Sequence, residues 1–493
     1  MSSVSTSPGR ILALTLSGNA ICRVSQIDLN DAVTKENNAA NKEIFTAGIY
    51  APTIRYHGGV FYIICTNLKG SSPPPADEDF EPSNFYITST DLTESTSFSD
   101  PIFFDFHGID PSLLFDDDGK VYVQGSWIYG YDKSPATSIK QFEIDITTGK
   151  AKTPTVDIWG GFSGMIPEGP HMYKKDGYYY LLAAEGGTHR GHMATIARSK
   201  SPWGPFENCP LNPVLQAPTR TGYIQCVGHA ELFQDGQGEW WAVMLARREY
   251  GTSYPMGRET FMVPVTWNYG DFPRFQSPTG VQFCERSMAV TQKLRWTESV
   301  ALSHLKTLFL RSPKLEDYEQ RGNSILMRPT GSCLTVPQGT ASFVGQRQES
   351  HASRATVTIF PEKDRGSYAG GLTVYKDTNR HASIEWNYRT QELSLRLHSS
   401  ATQSKIVSRV TIAMCSALCL RIESCIHRYK FSYTPENSRN MSSGGHMLGE
   451  VKSECLSGDD FTGTVFAIHA TGSGQMIEFG NFRIDHDIRD SMF

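Results

Sequence analysis

No run of apolar residues comes near the about 18 that a membrane-spanning helix needs, which leaves no case for a membrane partner. Basic charge is not in excess either. The formal net charge of −5 over 493 residues gives no electrostatic footprint for nucleic acid. The ten cysteines (22, 65, 209, 226, 284, 333, 415, 419, 425, 455) contain no Cys-x-x-Cys pair, and Cys65 and Cys419 lie in apolar runs, so free core thiols are expected. The His-Glu-x-x-His arrangement of a zinc protease is also missing. Glu185, His189 and His192, near His171, follow a different order in a stretch that reads as strand and loop, so no metal or other cofactor is expected. A secretion signal is only faintly imitated: Arg10 is the one early basic residue, and the apolar core 11–16 stops at Ser17-Gly18-Asn19. Compartment stays open, with the cytoplasm slightly ahead.

What is present is glycine (43), proline (26) and 11% aromatics, the make-up of a turn-rich all-β chain. Glu168-Gly-Pro-His-Met-Tyr-Lys-Lys-Asp-Gly177 leads into Tyr178-Tyr-Tyr-Leu, a strand, a tight Asp-Gly turn and a second strand. The pattern recurs at Ala51-Pro-Thr-Ile-Arg-Tyr-His-Gly-Gly59, Asp110-Pro-Ser-Leu-Leu-Phe-Asp-Asp-Asp-Gly119 and His229-Ala-Glu-Leu-Phe-Gln-Asp-Gly-Gln-Gly238. The turn glycines Gly59, Gly119, Gly177 and Gly238 are 60, 58 and 61 residues apart. A hairpin at a near-constant period predicts a β-propeller, one sheet per blade.

In a propeller the innermost strand of each blade opens on a shared central pocket. Nine residues before each turn glycine stand Tyr50, Asp110, Glu168 and His229. A single acid at a strand start is ordinarily a cap. Three polar residues and an aromatic in one register argue instead for a pocket, with Glu168 its best catalytic candidate.

The repeats fade after Pro273. From Phe309 short alternating strands follow at 8 to 12 residue spacing, among them Ser324-Ile-Leu-Met-Arg, Ala382-Ser-Ile-Glu-Trp and Thr464-Val-Phe-Ala-Ile-His, which predicts a β-sandwich. The expected organisation is a propeller over 1–285, a linker over 286–304 and a sandwich over 305–493. Residues 71–82, with Ser-Ser-Pro-Pro-Pro, are expected as a loop.

The motifs resemble glycoside hydrolase family 43, in its β-xylosidase branch with a concanavalin A-like C-terminal sandwich. Gly48-Ile-Tyr-Ala-Pro-Thr-Ile-Arg-Tyr-His57, Gly108-Ile-Asp-Pro-Ser-Leu113, Glu168-Gly-Pro-His-Met-Tyr173, Ala184-Glu-Gly-Gly-Thr188, Gly228-His-Ala-Glu-Leu232 and Gly257-Arg-Glu-Thr-Phe261 carry the likeness. Ser342-Phe-Val-Gly-Gln-Arg-Gln348 and Ala369-Gly-Gly-Leu-Thr-Val-Tyr375 carry it in the C-terminal part. The resemblance implies a five-bladed propeller and hydrolysis of terminal xylosides or arabinofuranosides, on small xylo- or arabino-oligosaccharides, with inversion. Glu168 matches the general acid and Asp110 the carboxylate that raises its pKa and orients it. Arg258 and His229 match substrate-binding residues, and Tyr50 matches an aromatic lining the sugar subsite. Trp127 is assigned as a second stacking wall. A homo-oligomer is left open.

The resemblance also implies a departure. The family's general base is an aspartate on the inner strand of a first blade, and Ser25-Gln-Ile-Asp-Leu29 already resembles a segment beyond that hairpin. One period before Gly59 falls ahead of Met1, and Asp28 and Asp31 are out of register. The expectation is therefore an incomplete or degenerate member with its first blade missing, its base absent and a sheet flank left bare. The alternatives are a non-catalytic carbohydrate-binding homologue and an interaction scaffold.

Overall fold

The computed structural model describes residues 19–36, 44–70, 81–278 (except 132 and 220) and 295–487 (except 362–365, 400–402, 414, 437–444 and 459–460), with the backbone of two short strands, Ser2–Ser5 and Ala13–Leu16. The signal-like segment, most of the 71–82 loop and the first part of the expected linker lie outside the described side chains. Contacts divide the chain into two units. The first comprises described residues within 1–33, 47–248 and 258–287, the second those within 34–46, 249–257 and 288–493. Among the described residues the chain is β-strand and turn, with three short 3-10 helices and no α-helix.

Besides the antiparallel pair Ser2–Ser5 and Ala13–Leu16, the first unit carries four antiparallel sheets, each starting at a repeat hairpin. Their inner strands are Gly48–His57, Gly108–Phe115, Glu168–Lys175 and Ile224–Gln234. Each pairs outward with a second strand (Val60–Lys69, Val121–Ile128, Tyr178–Glu185, Trp240–Arg248) and then a third (Glu81–Ser89, Thr137–Glu143, Met193–Ser199, Arg258–Thr266). All four turn glycines have positive φ, from 72° to 84°, a conformation glycine adopts without the steric cost of a Cβ.

Alternation along the strands sends successive side chains to opposite sheet faces, and consecutive blades bury those faces on one another. Ile64 and Tyr86 of the first meet Leu113 and Val123 of the second. Tyr122 and Ile139 meet Leu181 and Ala183 of the third, and Tyr180 and Leu182 meet Leu232 and Met244 of the fourth. The flank expected to be bare is covered in part. Ile63, Cys65, Phe85 and Ile87, on the far face of the first sheet, pack against Ile27, Leu29 and Phe98.

The second unit is a β-sandwich. One sheet of eight strands has Ile477–Asp487 and Ala352–Ile359 at its centre; the other has six, from Ser342–Arg347 to Gln403–Thr411. Val344, Leu372, Ile384 and Phe466 of the smaller sheet interleave with Val357, Leu420, Phe431 and Phe479 of the larger. Of the stretch expected as linker, Arg295–Ser299 is a strand paired with Arg483–Asp487, so regular structure begins before residue 305. Residues 249–257 follow the second strand of the fourth blade, yet their backbone bonds place them with the second unit: Thr464 N donates to Pro255 O at 2.7 Å.

Candidate active site

Every inner strand breaks its ladder near the residue that the repeat singled out. The register shifts between Tyr50 and Thr53, opposite Ile109–Ser112, between Glu168 and His171, and on both sides of Gly228. Each break holds a left-handed residue: Ala51 (φ 38°), Asp110 (55°), Gly169 (54°) and His229 (48°). Such bulges re-aim side chains, and non-glycine residues with positive φ are uncommon outside sites that require them. The signal for them was in the sequence. Pro52, Pro111 and Pro170 sit inside these strands, where a residue without N–H is tolerated only at an edge or a bulge.

Below the bulges one guanidinium ties the four inner strands together. Arg55 of the first donates from Nε to Leu113 O of the second at 3.1 Å, and its Nη2 lies 3.2 Å from Nδ1 of His171 in the third. Its Nη1 bonds Glu231 of the fourth, which also accepts from Thr53 at 2.5 Å. Burial pushes Glu231 up, but Arg55, His171 and Thr53 outweigh it and hold the carboxylate below its usual range.

At the level of the bulges the balance reverses. Asp110 is buried, and its Oδ2 accepts the backbone N–H of Gly169 at 3.1 Å, beside Glu168. Glu168 is pushed up to about 8, first by burial and then by the charge of Asp110, with Arg258 partly offsetting both. Arg258 reaches the site from the third strand of the fourth blade and donates to Thr188 Oγ1 at 3.2 Å. His229 stands against Gly169, where a Cβ would lie 2.6 Å from its Nε2. Burial raises the Tyr50 phenol, with Arg258 and Asp110 acting on it in opposite senses. Tyr50, Asp110, Glu168, His229 and Arg258 thus share one neighbourhood.

Trp127 is placed differently. Its ring packs edge-on to Phe106 and His107, with Lys140 Nζ 4.2 Å from the ring centre. The aromatic that meets the carboxylates, unforeseen from sequence, is Tyr131. The residue is 63% exposed, yet protein around its hydroxyl, followed by Glu168, Asp110 and Tyr50, raises its pKa. Pattern offered little to find it by, since Tyr131 lies in an irregular loop. Also unforeseen in this role is His192, whose Nδ1 is 3.9 Å from Glu168 Oε1. The backbone behind the acid is held by two hydroxyls, Ser126 and Thr137, which both donate to Pro167 O, at 2.8 and 2.9 Å.

A carboxyl kept protonated near neutrality beside a second carboxyl, with an arginine and a histidine at hand, can donate a proton to a leaving oxygen. The other acids nearby are engaged. Glu185 is fully buried and accepts from Ser163 N at 2.7 Å and Thr195 Oγ1 at 2.8 Å, and Glu231 is held by Arg55 and Thr53. Among the described residues no group of three or more His, Cys, Asp or Glu side chains is arranged to hold a metal ion.

The sequence profile of Glycosyl hydrolases family 43 matches residues 25–273, half the chain. This chain belongs to that family. A second profile, the Beta xylosidase C-terminal Concanavalin A-like domain, matches residues 304–485. A Bacteroides ovatus protein named non-reducing end alpha-L-arabinofuranosidase is 30% identical over 449 residues, covering 87% of this chain and 79% of its own length. A xylosidase/arabinosidase of Butyrivibrio fibrisolvens is 32% identical over 400 residues, 74% of this chain and 70% of the relative. The crystal structure of a family 43 protein from Bacillus licheniformis superposes with a TM-score of 0.79 at 25% identity, covering 97% of this chain and 91% of that one. Membership makes the chain a glycoside hydrolase by kind, with carbohydrate as its substrate class.

Proposed function

We propose that this family 43 protein acts on terminal pentose units, as β-1,4-xylosides or α-L-arabinofuranosides of short oligosaccharides, by an inverting mechanism. Glu168 is the general acid. Asp110 keeps it protonated and orients it, and Tyr50, His229 and Arg258 bind the sugar, with Trp127 a more distant wall. The observation that carries the reading is Glu168 held up to about 8 by burial and by Asp110. The relatives named for xylosidase and arabinosidase activity support the substrate class.

An inverting enzyme also needs a carboxylate about 6.5–9.5 Å from the acid to activate water. Among the described residues Glu185 and Glu231 are committed to other bonds, and Asp28 and Asp31 are exposed, out of the repeat register. Turnover by these 493 residues is therefore expected to fall about 10² to 10⁴ below that of an enzyme with its base. The test is hydrolysis of methyl β-xyloside and methyl α-L-arabinofuranoside, whose poor leaving groups need the acid, with Glu168→Ala as background. Slow turnover above that background, raised by azide, supports the reading. Turnover unaffected by Glu168→Ala overturns the assignment of the acid.

A further inference from the structure

His192 ends the loop that joins the second and third strands of the third blade, and it is 1% exposed. Neither ring nitrogen makes a well-aligned hydrogen bond, and the one backbone group acting on the ring at short range is that of Gly187. Buried polar atoms are nearly always paired, so a ring held only by a poorly aligned contact to the Gly187 backbone has bonding capacity left for a further partner. The ring is locked in place. A Cβ on Gly228 would lie 2.3 Å from its Cδ2, and the backbone N–H of His192 donates to His189 O at 2.8 Å. The loop is pinned further by Gly186 N donating to Met165 O at 2.8 Å and by Thr188 accepting from Arg258. Nδ1 faces Glu168 Oε1 across 3.9 Å, about 1 Å beyond a hydrogen bond.

We propose that His192 is the positioning residue of the acid: its Nδ1–H closes on Glu168 Oε1 and leaves the transferable proton on Oε2. This rests on the reading of Glu168 as general acid. The titratable and charged groups facing His192 are Glu168 on the third inner strand, His229 on the fourth, Arg258 on the outer part of the fourth blade, and His189 in its own loop. Burial, His229 and Arg258 hold the imidazole down to about 3, so it is neutral wherever the enzyme works. A neutral donor orients the carboxyl without adding the positive charge that would strip its proton. In the reaction Oε2–H passes its proton to the glycosidic oxygen. The bond from that oxygen to the anomeric carbon breaks with its electron pair on oxygen, and water adds to the carbon and passes its extra proton to a second water. The Glu168 carboxylate left behind accepts the Nδ1–H more strongly than the acid did.

His192→Asn keeps an N–H at the Nδ1 position, whereas His192→Phe fills the space without one. The primary readout needs no turnover: the infrared C=O band of protonated Glu168 near pH 6, isolated by subtracting the Glu168→Gln spectrum. His192→Phe should move this band to higher frequency, and His192→Asn should leave it in place. On a glycoside with a poor leaving group, His192→Phe should lower kcat by up to about 10²-fold with KM little changed, as expected of a misplaced group. Asparagine should recover most of that loss. If His192→Phe does not fold, His192→Gln, which presents its N–H at the Nε2 position, should give the same shift. A Glu168 band that neither phenylalanine nor glutamine moves overturns the positioning role while leaving the acid intact. No Glu168 band at all near pH 6 overturns the acid reading and the positioning role with it.

Discussion

Glu168 and Glu231 stand on neighbouring inner strands of one propeller, both shielded from solvent, and their protons behave in opposite ways. Glu231 faces a guanidinium, a threonine hydroxyl and an imidazole, and stays ionised. Glu168 faces another carboxylate, with Arg258 the only cation acting to lower its pKa, and stays protonated near neutrality. Residue type and burial are the same, so the neighbour sets the role. One glutamate ties the hub together and the other is loaded to react.

Removing the reactive partner should have the largest effect. Glu168→Ala is expected to cut turnover of glycosides with poor leaving groups by about 10² to 10⁴, and much less for activated aryl glycosides, in steady-state assays of both. Breaking the hub comes next. Arg55→Met leaves Glu231 buried and unpaired, which should cost about 3–5 kcal/mol in denaturant unfolding, and Arg55→Met combined with Glu231→Met should recover much of it. If the single variant unfolds like wild type, the hub does not bear on stability.

The comparison sharpens with pH. Glu168 is raised from 4.5 to about 8, so its contribution to stability is present below about pH 4.5 and is lost as pH rises through 8. Wild type should therefore lose Tm relative to Glu168→Gln across that window. Glu231 is lowered, so its contribution is present above 4.5 and is lost in acid. Wild type should lose Tm relative to Glu231→Gln as pH falls. Two difference curves of the same sign would undo the contrast. Asp110→Asn, which tolerates the left-handed backbone at 110, should move the alkaline limb of the pH–rate profile to lower pH. The smallest change is expected from Tyr131→Phe, which removes a hydroxyl near the carboxylates and should alter KM more than kcat.

The repeat made the four hairpins and the pocket register legible because turn glycines are local signals, and all four proved left-handed. The count of nine residues survives a difference it could not foresee. In the first and third hairpins the turn is tight, pairing His57 with Val60 and Lys175 with Tyr178. In the second and fourth it is longer, pairing Phe115 with Val121 and Gln234 with Trp240. The pocket residue accordingly lies seven residues before the strand end in one pair and five in the other, a difference of two that keeps the side chain on the same face. Arg55, Tyr131 and His192 were not legible as a set. Arg55 finds Glu231 176 residues away, Tyr131 sits in an irregular loop, and His192 is distinguished by an approach to Glu168 that only coordinates reveal.

Each bulge separates two duties of a single strand. Below it, alternation is dictated by the blade interfaces, where Leu113 and Leu232 are buried against neighbours. Above it, the extra residue has already broken the ladder, so the side chain offered to the axis need not follow the blade's alternation, although Tyr50 still packs on Ala47, Leu68 and Ile109. The propeller thus works as a fixed chuck with exchangeable bits. Tyrosine, aspartate, glutamate and histidine occupy one kind of socket, so the chemistry of the axis is set by four positions while the hairpins that carry them stay alike.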